Sequence, residues 1–213
     1  MTALVPSERR PLVKKQKNSP RGMDVQPLSP ERWADFERLF GTRGACGGCW
    51  CMWWRIPRSQ FERQKGDGNK RAMKRVVKSG QTVGLIGYID DAPVAWCSVA
   101  PREDFPVLQR SRVLKPVDDQ PVWAVVCFFI DRAHRHRGVA VAMLKAAVRY
   151  VKQQGGRVVE GYPVEPKKET IPDAFAWTGL KSLFERAGFT EVLRRSPTRP
   201  IMRCVIGKRR RTD

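Results

Sequence analysis

The 213-residue sequence predicts one α/β domain, on three observations. Residues 122–130 read Val-Trp-Ala-Val-Val-Cys-Phe-Phe-Ile, an almost unbroken apolar run that suits a central strand covered on both faces. A short basic loop leads to residues 138–152, where only Lys145, Arg149 and Lys152 interrupt an apolar surface, so this helix packs against the sheet. Residues 157–160 supply another strand, and a right-handed crossover makes it parallel to the first.

The remaining elements follow in chain order. Residues 23–28 make a short first strand. Ser29 caps a helix with Pro30 at its first position and Trp33, Phe36, Leu39 and Phe40 along one face. Residues 41–48 are Gly-rich and form a loop. The run Cys49-Trp50-Cys51-Met52-Trp53-Trp54-Arg55 holds three tryptophans too costly to leave in water, so they line a core or a pocket. Residues 69–79 form an amphipathic helix ended by Gly80, with a basic face of Lys70, Arg71, Lys74, Arg75 and Lys78. Residues 82–89 and 93–100 pair as a hairpin across Asp90-Asp91. The connection over 101–120 has a length that often carries function. Gly155-Gly156 stops the long helix. After a Pro-bearing loop over 162–176, Thr178 caps a short helix over 180–187 that ends at Gly188, and two strands run through 189–193 and 201–206.

Hydrophobic residues make up 41% of the chain and charged ones 29%, which suits a single domain over residues 22–206. No apolar run reaches the roughly 18–20 residues of a membrane span. The basic start lacks an apolar signal core, so a cytoplasmic location is expected. The net charge is +20, of which roughly +8 sits in tails over 1–21 and 207–213. Those tails are expected to be disordered and could meet nucleic acid or an acidic partner. The remaining excess favours a polyanion, including a phosphate-rich cofactor. The six cysteines are expected to be reduced, with Cys97, Cys127 and Cys204 as core hydrophobes. Cys46, Cys49 and Cys51 lack the second ligand pair of a structural zinc site, so no metal is expected, and their loop is read as lining a pocket.

The junction after residue 130 carries the chemistry. A buried strand ends, a loop turns, and a helix starts at Gly138. The first N–H groups of a helix have no partner inside it and carry the positive end of its dipole, which makes an anion site. Gly138 allows close approach of a phosphate, Val139 and Ala140 are uncharged, and Arg135 and Arg137 add positive charge. The alternative is an ordinary strand–helix turn with surface arginines.

The run from Val125 through Arg135-His136-Arg137-Gly138-Val139-Ala140 to Leu144 resembles the diagnostic segment of the GNAT (Gcn5-related N-acetyltransferase) superfamily, in which R/Q-x-x-G-x-G/A binds the coenzyme A pyrophosphate. Leu183-Phe184-Glu185-Arg186-Ala187-Gly188-Phe189 resembles that family's closing helix. The resemblance implies a GNAT fold, with flanking helices on a mixed sheet of about six to seven strands whose two central parallel strands splay apart. It implies acetyl-CoA in the splay, its pantetheine arm along Cys127, Phe128, Phe129 and Ile130, and a backbone N–H there that polarises the thioester. An amine acceptor, a small molecule or a protein, then attacks directly. The chain would act as a monomer or homodimer.

This sequence departs from the family where a tyrosine usually protonates the departing thiolate, because Phe184 stands there. Tyr162 is the nearby alternative, or a loop aromatic packed on the sheet; Thr178 and Ser182 could also reach. Glu160 is the candidate base, or a salt-bridge partner of an arginine. His134 and His136 are placed beside phosphate or water rather than as bases. Two other readings stay open: an acyl-CoA-binding sensor without transfer, and a nucleic-acid-associated protein working through its tails.

Overall fold

The computed structural model describes residues 22–167, 172 and 176–207. The tail over 1–21 and residues 208–213 of the other tail lie outside the described residues. Helices α1 (Trp33–Phe40), α2 (Arg58–Arg63), α3 (Asp67–Lys78), α4 (Pro106–Gln109), α5 (Val139–Gln153) and α6 (Lys181–Arg186) flank a single sheet. Its strands are β1 (Asp24–Pro27), β2 (Leu85–Ile89), β3 (Ala92–Pro101), β4 (Trp123–Ile130), β5 (Val158–Gly161), β6 (Thr190–Arg194) and β7 (Pro200–Val205), in the order β1-β2-β3-β4-β5-β7-β6. The β4–β5 pair is parallel, bridged by α5, and every other pair is antiparallel. The sheet is therefore mixed, as expected.

Each face of the sheet is covered by the elements whose periodicity demanded it. On one face α5 sets Met143, Leu144, Ala147 and Val151 against Val99, Val125 and Val159. Leu144 is fully buried, so Leu144→Ala would cost about 2–5 kcal/mol. On the other face α1, the tryptophan run and α3 cover Ile86 and Trp96 with Phe36, Phe40, Trp50 and Met73. Beside them Phe105, Leu108, Tyr162 and Ile201 cover Ala124 and Val126.

Three local expectations need correction. Helix α2 was not anticipated; among its residues only Phe61 is buried, too few apolar positions to produce a helical period. Thr178 does not cap α6, whose N-cap is Leu180; the Thr178 hydroxyl instead accepts from Arg199 Nη1 at 3.1 Å. Ser29 makes no cap bond to the backbone, and its hydroxyl accepts from Arg32 Nη1 at 3.1 Å. Among the described residues no helix is long and apolar enough to cross a membrane.

Candidate active site

The parallel strands are joined over only three positions, Trp123 opposite Val159, Ala124 opposite Glu160 and Val125 opposite Gly161. The next residue of β4, Val126, has no partner on β3, because Ser98 faces Cys127 while Val99 faces Val125. One extra residue bends its strand and increases its twist, and pairing with β5 ceases at this bulge. From there to Ile130, β4 offers its edge to other groups. Phe128 N–H donates to the Trp177 carbonyl at 2.7 Å. Phe184, fully buried, packs edge-on against Phe128 and Phe189 with ring centroids 6.1 and 5.1 Å away. Gly161 is required there, since a Cβ would overlap the Phe184 ring.

The loop after β4 is held by Asp131. Its side chain accepts from Ala133 N–H at 3.0 Å and meets His134 Nδ1 at 3.1 Å. The His134 contact, with the backbone N–H bonds, holds the Asp131 carboxyl below its usual range. Arg135 turns back, its Nε donating to the Ile130 carbonyl at 3.1 Å. His136, Arg137 and Gly138 are exposed. Gly138 has φ +78°, a left-handed conformation that glycine adopts without strain, and nothing lies within 4 Å of where its Cβ would be. Glycine is thus demanded by conformation rather than crowding. Val139 points into the core, 2% exposed, and fixes the start of α5. The N–H groups of Val139, Ala140 and Val141 have no acceptor among the described residues. They form an open, positively polarised helix terminus next to the free edge of β4.

On the opposite face the tryptophan run divides. Trp50 is core, 3% exposed among Trp33, Phe36 and Phe40. Trp53 and Trp54 are half-buried and meet Trp177 at 6.2 and 5.8 Å. Trp50 and Cys51 both have positive φ, +45° and +59°. Such strain costs about 1–3 kcal/mol per residue and persists only where the surroundings enforce it. The result is a buried Cys51 whose sulfur takes the Trp96 indole N–H at 3.2 Å. The polar groups around it, the Cys127 thiol first and then Ser98 and the Trp96 indole N–H, with the Arg55 charge, outweigh burial and bring the Cys51 thiol down to about 7. The neighbouring Cys51 sulfur and burial push the Cys127 thiol well above its ordinary value. Cys46 is exposed and Cys49 half-buried, while Cys51 is buried. Among the described residues no group of three His, Cys, Asp or Glu side chains could hold a metal ion.

Arg55 lies beside this thiol. Its side chain is 5% exposed, stacks over Phe105 at 4.6 Å, and meets Asp104 only at 3.9 Å. Partial burial raises the Asp104 carboxyl above its usual range, with Arg55 pulling the other way. The basic face of α3 is partly occupied: Lys70 pairs with Glu37 at 2.7 Å.

Glu160 and Tyr162, the two candidate catalytic groups, meet in a closed cluster beneath α4. Glu160 is 0% exposed and Tyr162 is 1% exposed. Glu160 Oε1 accepts from the Tyr162 hydroxyl at 2.6 Å and from Arg102 Nη1 at 3.2 Å, and Oε2 accepts from Arg203 Nε at 2.7 Å. Arg203 also forks onto Asp118 at 2.6 and 3.0 Å. Arg102 donates to Tyr162 and, at 2.7 Å, to the Leu114 carbonyl. Burial and the Glu160 charge push the Tyr162 phenol well above its ordinary range, so it keeps its proton. Both carboxylate oxygens are engaged, a geometry of structural pairing that weighs against a base. Sequence reading located Glu160 at the end of β5 but could not see Arg102 and Arg203, which come from distant segments. It also passed over Arg55, Asp104 and Trp177; the one available signal was an arginine ending a tryptophan-rich run.

Comparison with known proteins bears on this geometry. A search of curated proteins finds no match. Among solved structures, a GNAT-family acetyltransferase from Listeria monocytogenes superposes with a TM-score of 0.54 at 8% identity, covering 86% of this chain and 95% of that one. One from Streptococcus agalactiae gives 0.52 at 15% identity over 88% and 98%. The structure of AAC(6')-Ib in complex with parmomycin and acetyl-CoA gives 0.52 at 11% identity over 90% and 99%. These likenesses show the fold. The sequence model of the acetyltransferase (GNAT) family matches residues 50–166, more than half of the chain and from Trp50 through β5. The chain belongs to the GNAT acetyltransferase family.

Proposed function

We propose that this protein is an N-acetyltransferase that passes an acetyl group from acetyl-CoA to a primary amine by direct attack. The observation that carries this reading is the open α5 terminus, with the Val139, Ala140 and Val141 N–H groups finding no acceptor among the described residues beside a β4 edge that has left β5. A pyrophosphate is the fitting occupant: Arg137 is exposed beside it and Gly138 leaves free space above the backbone. Arg135, His136, Gly138, Val139 and Ala140 complete that cradle, and the edge over Phe128, Phe129 and Ile130 receives the pantetheine arm. Acetyl-CoA supplies the activated thioester. To use the Phe128 N–H, its arm must displace the Trp177 carbonyl now bonded there.

The amine enters from the face bearing Trp53, Trp54 and Trp177. Asp104 is the proposed proton acceptor. It is partly exposed, and its raised pKa moves it toward the range where a base works near neutrality. Glu160 and Tyr162 are assigned to holding the C-terminal end of β5. Phe184 has no proton to give, so the thiolate leaves on its own low basicity. A second reading, acyl-CoA binding without transfer, rests on that same phenyl ring.

The test is a thermal-shift and turnover screen with acetyl-CoA against a panel of amines, following free thiol. Saturable stabilisation by acetyl-CoA and amine-dependent thiol release are expected. Stabilisation without release from any amine would favour the sensor, and no stabilisation would remove both readings.

A further inference from the structure

Seven buried side-chain nitrogens and oxygens lack a hydrogen-bond partner among the described residues, and three belong to adjacent residues in one corner: Trp54 Nε1, Arg55 Nε and Arg55 Nη2. All three are donors. Nε and Nη2 of an arginine lie along the same edge of the planar guanidinium and form the fork that takes a carboxylate through two parallel N–H bonds. Arg55's third nitrogen, Nη1, is the one turned to Asp104. Its charge is thus only loosely answered, at 3.9 Å, while its fork is unmet. Burial opposes the charge, and the nearby Cys51 sulfur is already occupied by Trp96. Leaving a buried guanidinium in this state is costly unless a ligand completes it.

The corner also lies against the transfer site. Trp54 stacks near Trp177, whose carbonyl holds the Phe128 N–H on the open edge of β4. Cys51, whose sulfur lies beside Arg55, shares its apolar cluster with Cys127, the residue before Phe128.

We infer that Arg55, through its Nε/Nη2 fork and with the Trp54 indole N–H beside it, binds a carboxylate of the acceptor, so that the acceptor class is amino acids or similar amines bearing a carboxylate. This rests on the acyltransferase reading for the word acceptor, but the carboxylate site stands by itself. With the carboxylate on the fork, Trp53, Trp54 and Trp177 supply aromatic walls for the rest of the acceptor.

The test uses the full chain, the common L-amino acids, the amines that match them without the carboxylate, and aminoalkyl phosphonates. Turnover with acetyl-CoA gives KM and kcat, and calorimetry gives binding of the amino acids alone and of acetyl-CoA alone. Carboxylate-bearing amines should be the productive acceptors. Arg55→Lys should raise their KM at least tenfold while kcat changes less than threefold, and acetyl-CoA affinity should not move. Trp54→Phe keeps the ring and removes only the donor; it should raise KM about threefold, and it stands in if Arg55→Lys does not fold. Preference for carboxylate-free amines, for phosphonates or for peptide N-termini would overturn the inference, as would an unchanged KM in both variants. If acetyl-CoA fails to bind, the acyltransferase reading falls, and amino-acid binding that Trp54→Phe weakens still upholds the site. If acetyl-CoA binds and no amino acid does, the site falls and the acyltransferase reading stands.

Discussion

The two ends of the β4–β5 pair handle buried charge in opposite ways. Near the paired end, Glu160, Arg102, Tyr162, Arg203 and Asp118 satisfy one another, and among their buried side-chain atoms Arg102 Nε alone has no partner among the described residues. At the diverging end, the Arg55 fork, the Trp54 indole and the first amides of α5 have none among the described residues. A cavity of about 220 Å³ opens at the satisfied end, lined by Arg102, Asp118, Gln120, Glu160 and Arg203. We read the closed set of ion pairs as holding the fold and the unmet donors as the groups that meet a ligand.

The contrast can be broken at either end. The largest effect is expected at the satisfied end. Glu160→Gln leaves Arg102 and Arg203 without their shared carboxylate and should cost about 3–5 kcal/mol of stability. Denaturant unfolding measures that loss, and coenzyme A affinity of the folded protein should stay the same. A variant of normal stability that has lost turnover would instead restore Glu160 as the base.

Next, Asp104→Asn should lower kcat about a hundredfold, the lower range for loss of a general base. The direction with pH follows from its raised pKa: a base must be unprotonated, so wild-type kcat falls as pH drops through that pKa, and the variant should lose this acid limb. A pH–rate profile of unchanged shape would remove Asp104 from the mechanism.

Gly138→Val should weaken coenzyme A at least tenfold by calorimetry, about 1.4 kcal/mol. A β-branched residue at φ +78° strains the turn that presents the α5 amides. Equal affinity would mean that the phosphates bind elsewhere.

The smallest expected effect concerns Cys51. Its folded value of about 7 lies below the ordinary thiol value of 9.0, so the stabilisation from its thiolate is fully present above about pH 9 and is lost as pH falls through 7. Wild type should gain about 1 kcal/mol over Cys51→Ser between pH 7 and pH 9, part of the full shift being returned by the coupled rise at Cys127. A stability difference that does not vary with pH would show Cys51 to be an uncharged core thiol.

Much of the fold was legible because its central unit is periodic. The apolar run of β4, the buried face of α5 and Gly138 are local signals, and the structure reproduces them within one or two residues. The tryptophan run was legible only as a choice between core and pocket, and the structure divides it by burial, with Trp50 inside the core and Trp53 and Trp54 half-buried at its edge. The roles of single charged residues were not legible. Glu160 depends on Arg102, 58 residues away, and Arg203, 43 residues away. Arg55 becomes notable only once burial shows its fork unmet, which no spacing in the sequence encodes.

Backbone amide NMR of the full chain titrated with coenzyme A tests the central claim most directly. The account predicts saturable shifts at the amides of residues 138–141, with those of Arg102, Glu160 and Tyr162 nearly still. Saturable binding that leaves 138–141 unmoved, or moves the Glu160 cluster instead, would contradict it.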